Sequence, residues 1–333
     1  MVKNIIFDSR WIGEHGIGRF AKEIRDSGLP LKNIMLHGNP AGKFDTIKLT
    51  FYLWKNKDYF FSPGYNAPFL FLKRAIITIH DLNHIDLNYN SSILKRLYYR
   101  LILKRACQKS ALILTVSEFS KERIHQWANV PLDKIRVVGN GVSCEFVPEG
   151  YNYSSDSSPY ILIVGNRKTH KNEFSAVSAF LKANIPQEYR LLIIGEPTKE
   201  LQELINSYNA CSRVFFIGRV TNQKLASLYR GATCLLFPSL YEGFGLPVIE
   251  SMACGTPVIT SNVTSLPEIA GDAALIVNPY EIQEIILAIE QIINDEDLRE
   301  LLITRGLAQS AKYSWKQVQR LVTEALIDGF NIK

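Results

Sequence analysis

The stretch Phe237-Pro-Ser-Leu-Tyr-Glu-Gly-Phe-Gly-Leu-Pro-Val-Ile-Glu250 narrows the possible folds more than any other part of the chain. Before it, Cys234-Leu-Leu-Phe237 reads as a short buried strand that Pro238 and Ser239 end. Gly243 and Gly245 loosen a turn, Pro247 suits the first turn of a helix, and residues 248–253 continue that helix until Gly255 and Pro257 stop it. A buried strand that passes through a glycine turn into a helix is the repeating unit of an α/β fold. Glu242 and Glu250 flank the crossing, and a helix N-terminus between them favours anions. A group with hydroxyls at both ends and phosphates in the middle, such as a nucleotide-sugar, suits this arrangement. Glu250 would accept from a ribose diol and Glu242 from sugar hydroxyls, each charged hydrogen bond being worth about 1.5–3 kcal/mol when buried. Chemistry alone equally admits a surface turn with two solvated glutamates.

The rest of the chain extends the same alternation. Apolar runs at residues 2–7, 60–65, 75–82, 111–117 and 135–138 read as strands of a first half; runs at 160–164, 190–196, 214–219, 234–237 and 274–277 read as strands of a second. Residues 147–159, with Gly150, Asn152 and several serines, are polar and aperiodic and read as the linker, which puts the boundary near residues 150 and 151. A chain of 333 residues suits two such domains. At 47 % hydrophobic and 21 % charged residues it has the composition of a soluble globular enzyme. No apolar run is long enough for a membrane span, and no secretory signal is apparent at the start. The five cysteines are scattered, without a Cys-x-x-Cys pair, which suggests reduced thiols rather than a zinc site or a disulfide framework.

Charge is uneven. Residues 1–150 hold 22 Lys+Arg against 13 Asp+Glu, so +9, and since the whole chain is +6 the remainder is −3. The first half should prefer an anionic partner: lipid phosphates, a lipid-linked sugar diphosphate or nucleic acid. Within it, residues 92–109 read as a helix with Lys95, Arg96, Arg100, Lys104, Arg105 and Lys109 and no acid. Arg96, Arg100 and Lys104 line one face, and Ile93, Leu94, Leu97, Tyr98, Leu101 and Ile102 make an apolar stripe. This is either a membrane-surface helix or a core-packed helix with a solvated basic face.

Gly16-x-Gly18-x-x-Ala21 fits a dinucleotide fingerprint. Residues 8–16 are too long a connection for the tight first turn of that motif, and no acid stands near Ile34-Met-Leu-His37 to hold a ribose. In the second half, Gly165-Asn-Arg167-Lys168-Thr-His-Lys171 places an Arg and a Lys after a strand at a helix start, which suits a diphosphate: Arg as a planar fork, Lys as a point charge. His80 stands at a strand end followed by Asp81, which either orients it or caps a helix. His170 has no partners at metal-ligand spacing and reads as loop, and Asp295-Glu-Asp297 lies in a polar stretch between helices, so no metal is expected.

Glu242 and Glu250 with Gly-Phe-Gly-Leu-Pro inside, followed by Met252-Ala-Cys-Gly-Thr-Pro-Val-Ile259 and Ser265-Leu-Pro-Glu268, resemble the Glu-x7-Glu signature of the GT-B retaining glycosyltransferases of family 4 type. The resemblance spans almost the whole chain and is strongest over residues 160–280. It implies an α/β GT-B fold: two doubly wound Rossmann-like domains facing a central cleft. Residues 1–150, with a last helix at about 314–333 packing back on them, would bind acceptor; residues 151–313 would bind donor. It implies catalytic roles for His80, Glu242, Arg167 and Lys171. Donor contacts fall on Gly16, Gly18, Arg167, Lys171, Glu242, Gly243, Phe244, Gly245, Leu246 and Glu250, with Gly195, Glu196, Arg219 and Val220 bordering the base. Lys95, Arg96, Arg100 and Lys104 would form the acceptor or membrane surface.

The implied reaction moves a hexose from a nucleotide diphosphate sugar to a saccharide, with retention and without metal or other cofactor. The openings at His15-Gly-Ile-Gly-Arg-Phe20 and at Gly165 resemble bacterial mannosyl- and rhamnosyltransferases of surface polysaccharide assembly (O-antigen, lipopolysaccharide, capsule). That leans to GDP-mannose, with dTDP-rhamnose or a UDP-hexose next. The acceptor would be lipid-linked, the location cytoplasmic and peripheral on the inner face of the plasma membrane, and no nucleic acid would be bound. A GT-B sugar-nucleotide epimerase or hydrolase, or a non-catalytic nucleotide-sugar-binding partner of a larger synthase, remains open.

Overall fold

The computed structural model describes residues 4–14, 16–87, 97–154 and 158–332. The chain divides into two compact units, residues 1–141 with 315–333, and residues 142–314. The division falls earlier than the polar stretch at 147–159 suggests. The physical reason is that this stretch is fastened to the second unit: Arg230 donates to the carbonyls of Val147 and Tyr151, and Tyr153 N–H donates to Ser227 O.

In the first unit, β1 (Ile5–Phe7), β2 (Leu31–Asn33), β3 (Tyr59–Ser62), β4 (Ala75–Thr78), β5 (Leu112–Thr115) and β6 (Ile135–Val137) form a parallel sheet in the order β2-β1-β3-β4-β5-β6. Its helices are α1 (Gly16–Arg25), α2 (Asp45–Lys55), α3 (Asn83–Asp86), α4 (Lys104–Lys109), α5 (Glu118–Ala128) and, from the chain's end, Trp315–Phe330. Trp315, Val318, Val322 and Phe330 of that last helix join Phe7, Phe20 and Ile24 in one buried cluster.

In the second unit, β7 (Tyr160–Ile163), β8 (Arg190–Ile194), β9 (Val214–Gly218), β10 (Cys234–Phe237), β11 (Val258–Ser261) and β12 (Leu275–Val277) form another parallel sheet, ordered β12-β11-β10-β7-β8-β9. Its helices are α6 (Glu173–Lys182), α7 (Lys199–Ser207), α8 (Asn222–Gly231), α9 (Leu246–Ala253), α10 (Leu266–Ala270), α11 (Ile282–Asn294) and α12 (Glu296–Ser310); Trp315–Phe330 is α13. Strands such as Tyr160-Ile-Leu-Ile163 and Cys234-Leu-Leu-Phe237 are buried at every position. Helices cover both faces of such sheets, so their central strands read as near-continuous apolar runs.

Strand order reverses between β7 and β10, so the loops leaving these two neighbours diverge and open a crevice at their carboxyl ends. In the first sheet the reversal lies between β1 and β3. There the protein's own side chains occupy the ground. Arg10 bridges Asp8 and Asp45, and Asn66 donates to both carboxylates and accepts from Trp11 Nε1. Burial opposes the charge of Arg10, but the hydrogen bonds and charges of Asp8 and Asp45 outweigh it, so the guanidinium is held protonated more firmly than usual.

Lys95 and Arg96 lie outside the described residues. From residue 97 the helix widens to π turns over Tyr99–Leu103 before α4. That shifts the rows of side chains, so Tyr99 and Leu103 are buried while Leu97 and Leu101 of the apolar stripe are exposed. Arg100 is exposed and Lys104 half-buried.

Candidate active site

The crevice of the second unit is built from the β7 and β10 loops. After β7 the chain makes a 3-10 turn at Thr169–Lys171 and enters α6 through Asn172, which takes left-handed φ 55°. The Asn172 side chain donates to Pro238 O at 3.1 Å and to Pro279 O at 2.8 Å, which ties the β7 loop to the β10 loop and to the end of β12. The His170 carbonyl accepts from Leu240 N–H at 2.7 Å. His170 itself is buried in this turn rather than placed in a free loop, because the turn is pressed against the β10 loop.

These ties bring Lys171 and Glu242 together. Lys171 Nζ lies 2.6 Å from Glu242 Oε1 and 4.9 Å from the centre of the Phe237 ring. Both side chains are about one-seventh exposed, 14 % and 13 %, so the pair is shielded yet open to a ligand. Glu242 is held from behind: its N–H donates to Thr264 Oγ1, and Ser265 Oγ donates to the carbonyls of Glu242 and Phe244. Thr264 is β-branched and sits at φ 60°, a strained conformation that costs about 1–3 kcal/mol and persists only where neighbours fix it.

Arg167 also points inward, whereas its neighbour Lys168 is exposed. Its guanidinium is ion-paired to Glu173 Oε1 at 2.6 Å, and donates to Ile194 O and Glu196 O, each at 2.6 Å. Glu173, in the first turn of α6, lies directly over Gly165: a Cβ there would sit 1.7 Å from its Oε1. Gly195 and Gly218 both take positive φ, and Gly195 N–H donates to Gly218 O, which joins the β8 and β9 turns beside Arg167. Arg219 is exposed and Val220 half-buried on the same edge.

At the head of α9, Gly245 has φ 103° and its missing Cβ would meet Leu266 at 2.8 Å, so only glycine fits. Pro247 carries no N–H and Val248 N–H turns back to Gly245 O, so the amides at the helix head are those of Gly245 and Leu246. Gly243 is buried, and Phe244 turns its ring into the core, edge-on to Tyr313 at 5.5 Å. Glu250, on the inner face of α9, is 3 % exposed, and the Tyr229 hydroxyl donates to its Oε2 at 3.3 Å.

The remaining site residues belong to the first unit. His80 follows β4; Pro63 O can only accept, so Nε2–H donates to it, at 2.9 Å. The His80 ring stands edge-on to Phe20. Asp81 accepts from Asn83 N–H and so starts α3. Gly16 opens α1. Gly18 is where backbone crosses backbone: a Cβ would lie 2.4 Å from Gly13 O. In the second unit, away from these, Asp295 accepts from Leu298 N–H and caps α12.

Residues 152–309 match the family described as glycosyl transferases group 1, and residues 58–146 match glycosyltransferase family 4. The chain is 33 % identical over 275 residues, 78 % of this chain and 72 % of the relative, to O-antigen chain mannosyltransferase B of Escherichia coli. The chain is a family 4 glycosyltransferase. It is also 31 % identical over 262 residues, 78 % of this chain and 70 % of the relative, to the O-antigen chain mannosyltransferase RfbU of Salmonella typhimurium. The solved sucrose-phosphate synthase of Thermosynechococcus elongatus superposes over 100 % of both chains with a TM-score of 0.79 at 18 % identity, and this likeness is one of fold. The glycosyltransferase thus has the GT-B fold its sequence implies.

Sequence reasoning assigned Lys171, Arg167, Glu242 and Glu250 to ligands but missed the groups that hold them: Asn172, Glu173, Tyr229, Thr264 and Ser265. An acid in the first helical turn directly after an Arg–Lys cluster was a usable signal for Glu173. Nothing local announces a left-handed threonine at residue 264.

Proposed function

We propose that this glycosyltransferase moves mannose from GDP-mannose, with retention, to a lipid-linked saccharide in the assembly of a bacterial surface polysaccharide. The observation that carries the reading is the shielded Lys171–Glu242 pair at the β7/β10 switch point. A site that holds a cation against a carboxylate suits a ligand bringing both an anion for Lys171 and hydroxyls for Glu242. The names of the O-antigen relatives support mannose; dTDP-rhamnose and UDP-hexoses are the competing donors.

In this reading the second unit holds the donor and the first the acceptor. The diphosphate displaces Glu242 from Lys171 and takes further donors from Arg167 and the head of α9, while Glu250 receives the ribose. The bond between C1 and the β-phosphate oxygen breaks, and the departing phosphate takes the acceptor hydroxyl's proton. The acceptor oxygen bonds C1 on the face that was vacated. His80 holds the sugar near C1. Charge on the leaving group is met by fixed donors, so no metal is required, and EDTA leaves the rate unchanged. The enzyme works at the cytoplasmic face of the membrane, where Arg100 and Lys104 favour an anionic surface.

The test is incubation with GDP-mannose and a lipid-linked oligosaccharide. A product one hexose heavier with the anomeric configuration of the donor is expected. Donor consumption without acceptor would mean a hydrolase or epimerase, and transfer from UDP-glucose but not GDP-mannose would overturn the donor.

A further inference from the structure

Helix α2 of the first unit presents the wrong kind of side chain to solvent. Its inner face buries Thr46, Leu49 and Leu53 and the Asp45 carboxylate. Its outer face carries Phe44, Ile47, Phe51 and Trp54, which are 68 %, 51 %, 60 % and 66 % exposed. Spacings of three, four and three residues place all four on one narrow stripe at 3.6 residues per turn. An ordinary surface helix is polar there.

The stripe is widened and edged by charge. Thr50, which adjoins Ile47 and Trp54 on the helix surface, accepts from the N–H groups of Phe69 and Leu70, and both of these apolar side chains are exposed. Arg105 lies over the Phe69 ring at 4.3 Å. Lys48 and Lys55 run along the opposite border of the stripe, and Lys43 stands at its start; all three are exposed. The acids of this stretch turn inward: Asp45 is bound by Arg10, and Asp58 accepts from Asn4. The face is therefore apolar in the middle and basic at its rim.

We infer that the outer face of α2, with Phe69 and Leu70, is a docking surface for an anionic lipid bilayer. Two features favour a bilayer over a partner helix. Outward apolar tips come from two separate elements side by side, wider than a single helix–helix seam, and a planar surface takes them up together. The apolar tips include Trp and Phe, with Lys beside them, the pairing that suits the headgroup boundary. The inference deepens the proposed function, since it names a surface that brings the enzyme to a membrane-borne acceptor, and it adds α2 to the helix expected at 92–109. Its test reads lipid binding alone, so transfer activity and donor identity do not enter the result.

The experiment is flotation of the purified full chain with vesicles of phosphatidylcholine, with and without phosphatidylglycerol, on wild type, Phe51→Ser/Trp54→Ser and Lys48→Glu/Lys55→Glu. Wild type should float with the anionic vesicles and far less with the neutral ones. Each double variant should bind at least about tenfold more weakly, while its melting temperature and nucleotide-induced stabilisation stay those of wild type. Wild-type binding retained in Phe51→Ser/Trp54→Ser, or no binding of wild type to either vesicle, would overturn the inference. So would a wild-type dimer that this variant converts to monomer without any vesicle binding, which would make the face an interface between two copies.

Discussion

Replacing Gly165 by alanine tests how the diphosphate-facing loop is held. The new Cβ would lie 1.7 Å from Glu173 Oε1 and 2.8 Å from its carboxyl carbon, distances at which the carboxylate must leave. The three nearest atoms all belong to Glu173, so the backbone itself tolerates the change. When Glu173 swings away, its 2.6 Å ion pair with Arg167 is lost, at side-chain exposures of 15 % and 6 %. Breaking a buried pair by removing one partner costs about 3–5 kcal/mol. Arg167 keeps its bonds to Ile194 O and Glu196 O, which lowers the expected cost to about 2–3 kcal/mol. For a unit of this size that is a fall in melting temperature of about 4–12 °C. The control is Glu173→Ala, which removes both the pair and the obstruction. In that background Gly165→Ala should cost less than about 0.5 kcal/mol, a clear departure from additivity. Thermal unfolding of the four proteins is the assay. A single variant Gly165→Ala that melts like wild type, or costs that simply add, would refute the reasoning.

Other outcomes follow from the same geometry. Lys171→Ala and Glu242→Ala should each fold and lose about 10²–10³ in turnover or more, read by steady-state transfer; near-normal turnover of Lys171→Ala would remove it from the diphosphate site. Asn172→Ala gives up two side-chain hydrogen bonds and replaces Asn, which tolerates left-handed φ, by Ala, which tolerates it less, so it should lose about 2–3 kcal/mol, whereas Asn172→Gly should lose visibly less, by chemical denaturation. Burial pushes the thiols of Cys107, Cys234 and Cys254 up to about 12, while Cys144 and Cys211 are exposed. A thiol reagent at neutral pH should therefore modify the latter two in the native protein and all five only after unfolding.

Central strands such as β7 were legible because a doubly covered parallel strand is a near-continuous apolar run, as Tyr160-Ile-Leu-Ile163 is, whereas the equally buried β11 was missed because Thr260 and Ser261 cut its run short. The strand–turn–helix at residues 234–253 was legible because Gly245 and Pro247 are the residues such a turn demands. Strand β2 escaped notice because of its three residues only one is buried. Helix α2 escaped because its apolar stripe faces out, so the usual equation of apolar periodicity with a buried face fails. That Tyr99 and Leu103, rather than Leu97 and Leu101 of the apolar stripe, turn inward was not legible because π turns cannot be seen in a pattern counted at 3.6 residues. In the site, the charged residues could be picked out one by one. That Lys171 and Glu242, 71 positions apart, meet each other depends on Asn172 and Thr264, whose roles rest on left-handed backbone that only the assembled loops impose.

The most direct test of the account is thermal stabilisation of wild type, Lys171→Ala and Glu242→Gln by GDP, UDP and dTDP, each with and without EDTA. At 100 times its dissociation constant a ligand adds about 2.7 kcal/mol. The account predicts that GDP stabilises wild type most, that EDTA changes nothing, that Lys171→Ala loses the effect, and that Glu242→Gln, which frees Lys171 from its carboxylate, gains at the same GDP concentration. Equal stabilisation of wild type and Lys171→Ala would contradict the claim that the β7/β10 crevice holds the nucleotide diphosphate.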